Sequence, residues 1–197
     1  ISLFWASILI IPFVIKEGIG VTLYELLHVG LLEYVPFTIL LLALFTISGG
    51  VRLTGALVGT PIVNLAIILI GTFLASWMGT TGAAMLLIRP LINANKHRKN
   101  IVHIIVFFIF LVANIGGSLT PLGDPPLFLG FLKGVDFFWT TTAMFVPMLI
   151  MIIALSIIFY FLDSYYLKKE DVKVETPQEK LKLGIEGVFN LGLVVGV

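Results

Sequence analysis

The sequence predicts an all-α integral membrane protein: polytopic helices with a re-entrant helical hairpin and one broken transmembrane helix. Three observations predict it. The first is composition. Of 197 residues, 59% are hydrophobic and 12% charged, and the mean hydropathy is +1.12. A soluble domain carries about 25% charged residues, and a small globule has too little interior to hide this much apolar surface. The second is a short apolar arm at 83–92. As a helix it is about 15 Å long, too short for the roughly 30 Å hydrocarbon core. The third is a cluster of glycines and prolines at 116–126, inside an apolar stretch. Continuous helix cannot hold it, because proline lacks the amide donor and clashes with the preceding turn.

Residues 1–15 are apolar and read as the end of a crossing. Residues 16–34 are mixed. Ile19, Leu23, Leu26, Leu27 and Leu31 recur at helical spacing, with Thr22, Glu25, His28 and Glu33 elsewhere. That pattern suits an amphipathic helix lying on the outer membrane face. Residues 35–51 are a second crossing, ended by Gly49, Gly50 and Arg52, so 1–60 form an N-terminal scaffold region.

Residues 61–92 begin with Pro61, a favoured residue in a helix's first turn, and read as the hairpin, its tip near 79–82. A polar loop at 93–100 carries Lys96, Arg98 and Lys99. Residues 101–115 are apolar, 114–126 are the break, and 127–132 resume as helix before Lys133 and Gly134. The span 61–133 is thus a transport-type segment. Region 134–162 holds the last full crossing, at 140–162. Region 163–197 is a charged, water-exposed loop to 183 and then a further apolar run. The chain opens at Ile1 inside one apolar run and stops at Val197 inside another, so it is expected to be a piece of a longer protein.

Basic residues test this layout. Short cytoplasmic loops collect Lys and Arg. Of twelve such residues, Arg52, Arg89, Lys96, Arg98, Lys99, Lys168, Lys169, Lys173, Lys180 and Lys182 fall on one side, and only Lys16 and Lys133 on the other. The first side is expected to be cytoplasmic.

The break carries the chemistry. Irregular backbone at membrane depth is tolerated where it is buried in protein or lines a wet cavity, and broken helices offer free amides and carbonyls there to ions and substrates. This break adds the Asn114 amide, the Ser118 and Thr120 hydroxyls and the Asp124 carboxylate, hard oxygens that suit Na⁺. Asp124 is alone among eleven acids in lying mid-crossing. A carboxylate there is costly and usually functional. It could exchange a proton for a cation, or cap the following half-helix. The hairpin tip supplies Ser76 and the small residues and hydroxyls of 79–82.

Other chemistry is poorly served. There are no cysteines, hence no thiolate metal site or cysteine nucleophile. His28, His97 and His103 are dispersed, and are expected on the surface helix, in solvent and at the headgroups. Intramembrane hydrolysis would need paired acids, a zinc pattern or an activated serine. No enzyme activity, nucleic-acid partner or cofactor is expected, only Na⁺ and H⁺ as transported or coupling ions. Arg89, before Pro90, is expected to anchor the hairpin at the interface. Phe107, Phe108, Phe137, Phe138 and Trp139 suit lipid contacts and an interfacial belt.

The run Asn114-Ile115-Gly116-Gly117-Ser118-Leu119-Thr120-Pro121-Leu122-Gly123-Asp124-Pro125-Pro126 resembles the signature of the ion transporter superfamily, with its citrate transporter-like domain. There an Ile-Gly-Gly run, a Thr and a Gly-Asp-Pro-Pro or Gly-Ser-Pro-Pro run follow closely. The superfamily includes citrate-type dicarboxylate carriers, arsenite permeases and NhaD-type sodium/proton antiporters. The resemblance covers roughly 35–162 and is that of an N-terminal repeat. It implies half of an inverted-repeat transporter, usually a homodimer, with a first sodium site shared by Ser76, Thr80, Thr81, Gly116 and Gly117. With Asp124 from the reading above, Na⁺ is expected at Ser76, Thr80, Gly116 and Asp124. Dicarboxylate carriers have Ser-Asn-Thr at the hairpin tip, where this chain has Trp77-Met78-Gly79-Thr80-Thr81-Gly82, and Leu127 stands where many relatives have Asn.

The expectation is therefore a secondary active Na⁺/H⁺ antiporter, multi-pass in a bacterial inner membrane. The alternative is a sodium- or proton-coupled carrier of an organic anion, such as citrate, or of arsenite. A non-transporting membrane subunit would need neither Asp124 nor the break.

Overall fold

A computed structural model describes residues 1–49, 52–54, 57–170 and 184–186. The chain divides into two compact units, Ile1–Leu40 and Leu41–Val197.

In the first unit, α1 (Ser2–Glu17) contains Pro12 and ends at Gly18, whose φ of 85° turns the chain into α2 (Ile19–Val29). Thr22 returns a hydrogen bond to the Gly18 carbonyl at 2.8 Å. The separation expected between a surface segment and a second crossing is not a break in the helix. Gly30 keeps right-handed helical angles, and a π-helical turn at Gly30–Tyr34 leads straight into α3 (Val35–Gly49). A π turn absorbs an extra residue without ending the helix. The stretch Ile19–Ala43 is 25 residues long and apolar enough to cross a membrane. Gly50 and Val51, expected at the end of this crossing, lie outside the described residues.

In the second unit, β1 (Arg52–Thr54) pairs antiparallel with β2 (Gly184–Glu186), Leu53 opposite Ile185. The further apolar run expected from 184 thus opens as a short strand, and 187–197 lie outside the described residues. Next come α4 (Pro61–Met78) and α5 (Thr80–Ala94), the expected hairpin. Thr60 caps α4, accepting from the Val63 amide at 3.3 Å. The turn is tighter than the sequence suggests. Gly79 alone, at φ 79°, reverses the chain, and Thr80–Gly82 are already helix. The second arm has 15 residues rather than the ten of 83–92. It still stops at Ala94, where the Ala94 carbonyl accepts from the Gly59 amide at 2.8 Å. Both arms thus return to one end.

The broken crossing starts as α6 (Val102–Phe108), widens into a π-helical turn at Ile109–Asn114 and tightens into a 3₁₀ turn at Ile115–Ser118. Coil occupies only 119–124, before α7 (Pro125–Leu132). The break is therefore shorter than the expected 114–126. The glycines sit in altered helical turns, and Pro125 and Pro126 open a helix, where missing amides cost nothing. A turn at Gly134, φ 92°, leads to α8 (Trp139–Lys169). At 31 residues α8 overruns the expected end at 162, so Asp163 begins no loop. Residues 171–183 lie outside the described residues.

The core forms where the hairpin packs on the broken crossing and α8. Ile68, Ala75, Leu87, Leu91, Ile104, Leu111, Val112 and Phe159 are buried in one cluster. Gly71 admits the closest approach: a Cβ there would lie 2.8 Å from Val112 Cγ2 and 2.9 Å from Leu87 Cδ1.

Candidate functional site

The last turn of α4 and the turn at Gly79 set the hairpin tip against the helix break. Three hydrogen bonds join them. Ser76 Oγ donates to the Gly116 carbonyl, Thr120 Oγ1 donates to the Ser76 carbonyl, and the Thr80 amide donates to the Gly123 carbonyl at 3.1 Å. Ser76, Gly116, Gly117, Thr120 and Gly123 are buried. The backbones meet closely enough to exclude side chains. A Cβ on Gly123 would lie 2.2 Å from the Gly117 carbonyl oxygen, and one on Gly116 would lie 2.7 Å from the Thr72 carbonyl oxygen. From α8, Thr140 and Thr141 both donate to the Leu119 carbonyl, at 3.0 and 2.6 Å, steadying the coil from its other side.

Of the residues expected to bind ion or substrate, the fold brings together Ser76, Thr80, Gly116, Gly117 and Thr120. Gly123 joins them, a motif glycine whose role only the fold reveals. Others stand apart. Asn114 is exposed, and its amide donates to the Ile109 carbonyl of its own π turn at 2.8 Å. Ser118 Oγ donates to the Ile115 carbonyl at 2.8 Å, and Thr81 is exposed. Asp124 occupies the N-cap position of α7 but makes no side-chain cap hydrogen bond. Its backbone carbonyl accepts from Leu127 and Phe128, and the residue is exposed. The reading of Asp124 as a side-chain cap is corrected accordingly. Among the described residues no group of three or more His, Cys, Asp or Glu could hold a metal. A cation at the tip and break would therefore be held by carbonyl and hydroxyl oxygens with at most one carboxylate, a set of hard ligands.

A second polar centre lies at the hairpin's open end. Asn64 and Asn95 exchange side-chain hydrogen bonds at 3.0 and 2.7 Å across the mouth. Asn64 Nδ2 also donates to Asp163 Oδ2 at 3.0 Å. Arg98 lies 2.6 Å from Asp163 Oδ1, both side chains fully buried, and His103 Nε2 lies 2.7 Å from the same oxygen. Glu170 accepts the Asn100 and Lys99 amides at 2.6 and 3.3 Å and lies 4.0 Å from Arg98 Nε. This centre overturns two expectations. Asp163 is not a loop residue, and Asp124 is not the sole acid set within a crossing. The signals were present: Asn64 interrupts an apolar run, and helix-compatible residues follow Asp163.

Burial pushes the Glu170 carboxyl upward, but hydrogen bonds from Asn100 and Lys99 and the Arg98 charge more than offset it and hold it below its ordinary value.

Over its whole length, residues 1–197, the sequence matches a family described as "Putative citrate transport". The chain belongs to this family. No curated protein and no solved structure matches it. Membership of this family, with three helices among the described residues long and apolar enough to cross a membrane, makes the chain an integral membrane transporter. The hairpin and broken helix are the architecture this family member uses, and their meeting point is its candidate site.

Proposed function

We propose that the full-length protein is a cation-coupled carrier of citrate-type carboxylates, its cation held where the hairpin tip meets the helix break. One observation carries the proposal: the Ser76 hydroxyl and the Thr80 amide tie the tip to the Gly116 and Gly123 carbonyls, and the Thr120 hydroxyl ties the break to the Ser76 carbonyl, in one seam of hard oxygens. Broken helices in transporters bind coupling ions with such backbone groups. Family membership supports the carboxylate as solute. A homodimer, multi-pass in a bacterial inner membrane, completes the reading.

Sodium/proton antiport is the second reading, favoured by Asp124, a carboxylate at the break that is not engaged as a cap. One experiment separates the two. Full-length protein in sealed vesicles is given labelled citrate, then arsenite, under imposed Na⁺ or proton gradients. Proton flux driven by Na⁺, Li⁺ or K⁺ is followed with no anion present. Citrate accumulation that needs the cation gradient is expected. Sodium-driven proton flux without anion would replace this reading with antiport, and arsenite uptake alone would replace citrate as solute.

A further inference from the structure

Among the described residues, the centre at the hairpin mouth contains four charged or chargeable groups in one connected cluster. Asp163 and Glu170 contribute two negative charges and Arg98 one positive charge. His103, at 2.7 Å from Asp163, decides the sum. With a protonated ring the cluster is neutral. With a neutral ring it holds one uncompensated negative charge among buried side chains, an unfavourable arrangement.

The ring's surroundings support an exchangeable proton. Asp163 Oδ1 is an acceptor, so His103 Nε2 carries hydrogen toward it and a second ring proton belongs on Nδ1. Tyr166 stacks on the ring at 4.6 Å and fixes its plane. His103 also lines an open groove of about 270 Å³ with Asn100, Phe107, Leu162 and Tyr166. Among the described residues the ionisable groups around the ring are Asp163 and Tyr166 from α8, Arg98 from the loop before α6 and, through Arg98, Glu170 just beyond the end of α8. From α4 comes Asn64, which carries no charge.

We propose that His103 and Asp163 form a proton-binding site whose occupancy sets how tightly the hairpin mouth is held to α8. The coupling runs through Asp163, which binds His103 at one oxygen and Asn64 at the other, and Asn64 in turn clasps Asn95. Loss of the proton from Nδ1 keeps the Nε2–H bond to Asp163 but removes the ring's positive charge, so Asp163 is drawn more strongly to Arg98 and Asn64. The site lies apart from the tip and break and does not rest on the identity of the transported solute.

The test uses full-length protein in lipid nanodiscs with isotope-labelled histidine and asparagine. Magnetic resonance follows the ring nitrogens of His103, with exposed His28 and His97 as references, and the side-chain amides of Asn64 and Asn95. The charge state of the His103 ring is followed across a pH series. The two asparagine amides should shift with the same midpoint as the ring, and His103→Gln should abolish their shift. A ring fixed in one state across the series overturns the proposal. So do asparagine amides that ignore the ring, or that shift unchanged in His103→Gln. If that variant does not fold, the unsubstituted protein decides through the agreement or disagreement of ring and amide midpoints.

Discussion

An N-cap aspartate ordinarily accepts from the first free amides of its helix, yet Asp124 makes no such bond. Asp124→Asn should therefore change stability by no more than about 0.5 kcal/mol. If the carboxylate serves the cation, coupled transport should fall tenfold or more, about 1.4 kcal/mol in the barrier. Asp124→Glu keeps the charge and moves it by one methylene. Near-normal flux in both variants, at normal expression, would reject an ionic role. Asp163 is a structural contrast, because its partners engage both oxygens. Arg98→Met takes the guanidinium away from a buried carboxylate and should cost about 3–5 kcal/mol, read as lowered thermal stability in detergent. The double variant Arg98→Met with Asp163→Leu should be more stable than Arg98→Met alone. Glu170 gives a pH test. Its folded value is depressed, so its contribution is present above the ordinary glutamate value near 4.3 and is lost as pH falls through the folded value. Unfolding followed from pH 6 to pH 3 should steepen below about pH 4, and Glu170→Gln should flatten that slope. Asp124 was legible in the sequence because it stands in a run of glycine and proline. Asp163 was not, because its partners come from 60 to 99 residues away.

Hairpin and break were legible as elements because their signals are local. Pro61 starts one arm, a short apolar arm follows a glycine-rich turn, and prolines interrupt the next crossing. Their limits were less legible. Glycine tolerates π and 3₁₀ turns as readily as coil, so helix runs to Ser118. An acid ends an apolar run in sequence but not a helix in space, so α8 runs through Asp163 to Lys169. The docking of tip on break was foreseen only through resemblance, since no local pattern pairs Ser76 with Gly116 across 40 positions. The tight seam yields a prediction at this scale. Gly123→Ala forces a methyl to 2.2 Å from the Gly117 carbonyl, and both atoms belong to backbone that cannot step aside cheaply. Overpacking of this kind costs about 1–3 kcal/mol. Gly20→Ala, where nothing lies within 4 Å of the added carbon, is the control. Equal thermal stability and equal transport in the two variants would show that the seam opens without penalty.

Charge gives the whole molecule its orientation, and the fold sharpens the argument. Glu170 accepts the Lys99 and Asn100 amides, so the C-terminal end of α8 sits beside the loop after the hairpin. Lys96, Arg98, Lys99, Lys168 and Lys169 therefore share one end, as the charge count required. With 31 residues α8 is about 46 Å long, enough to span a bilayer with its headgroups. Its first residue, Trp139, follows Phe137 and Phe138, and Lys133 precedes them, so these belong to the opposite end. From the bias of Lys and Arg, the hairpin-mouth end is expected to be cytoplasmic. Asn95, in the loop, is a poor site for a reporter because it is buried and bonded to Asn64. Lys96, Lys168 and Lys133 are exposed. Each is replaced singly by cysteine in a full-length protein otherwise free of cysteine. In intact cells the first two should resist a membrane-impermeant thiol reagent and react after permeabilisation, while Lys133→Cys should react at once. Labelling of only one of the first two would break the layout, because Glu170 holds their segments together. Labelling of both, with Lys133→Cys protected, would invert the orientation and place the His103 centre on the outer side.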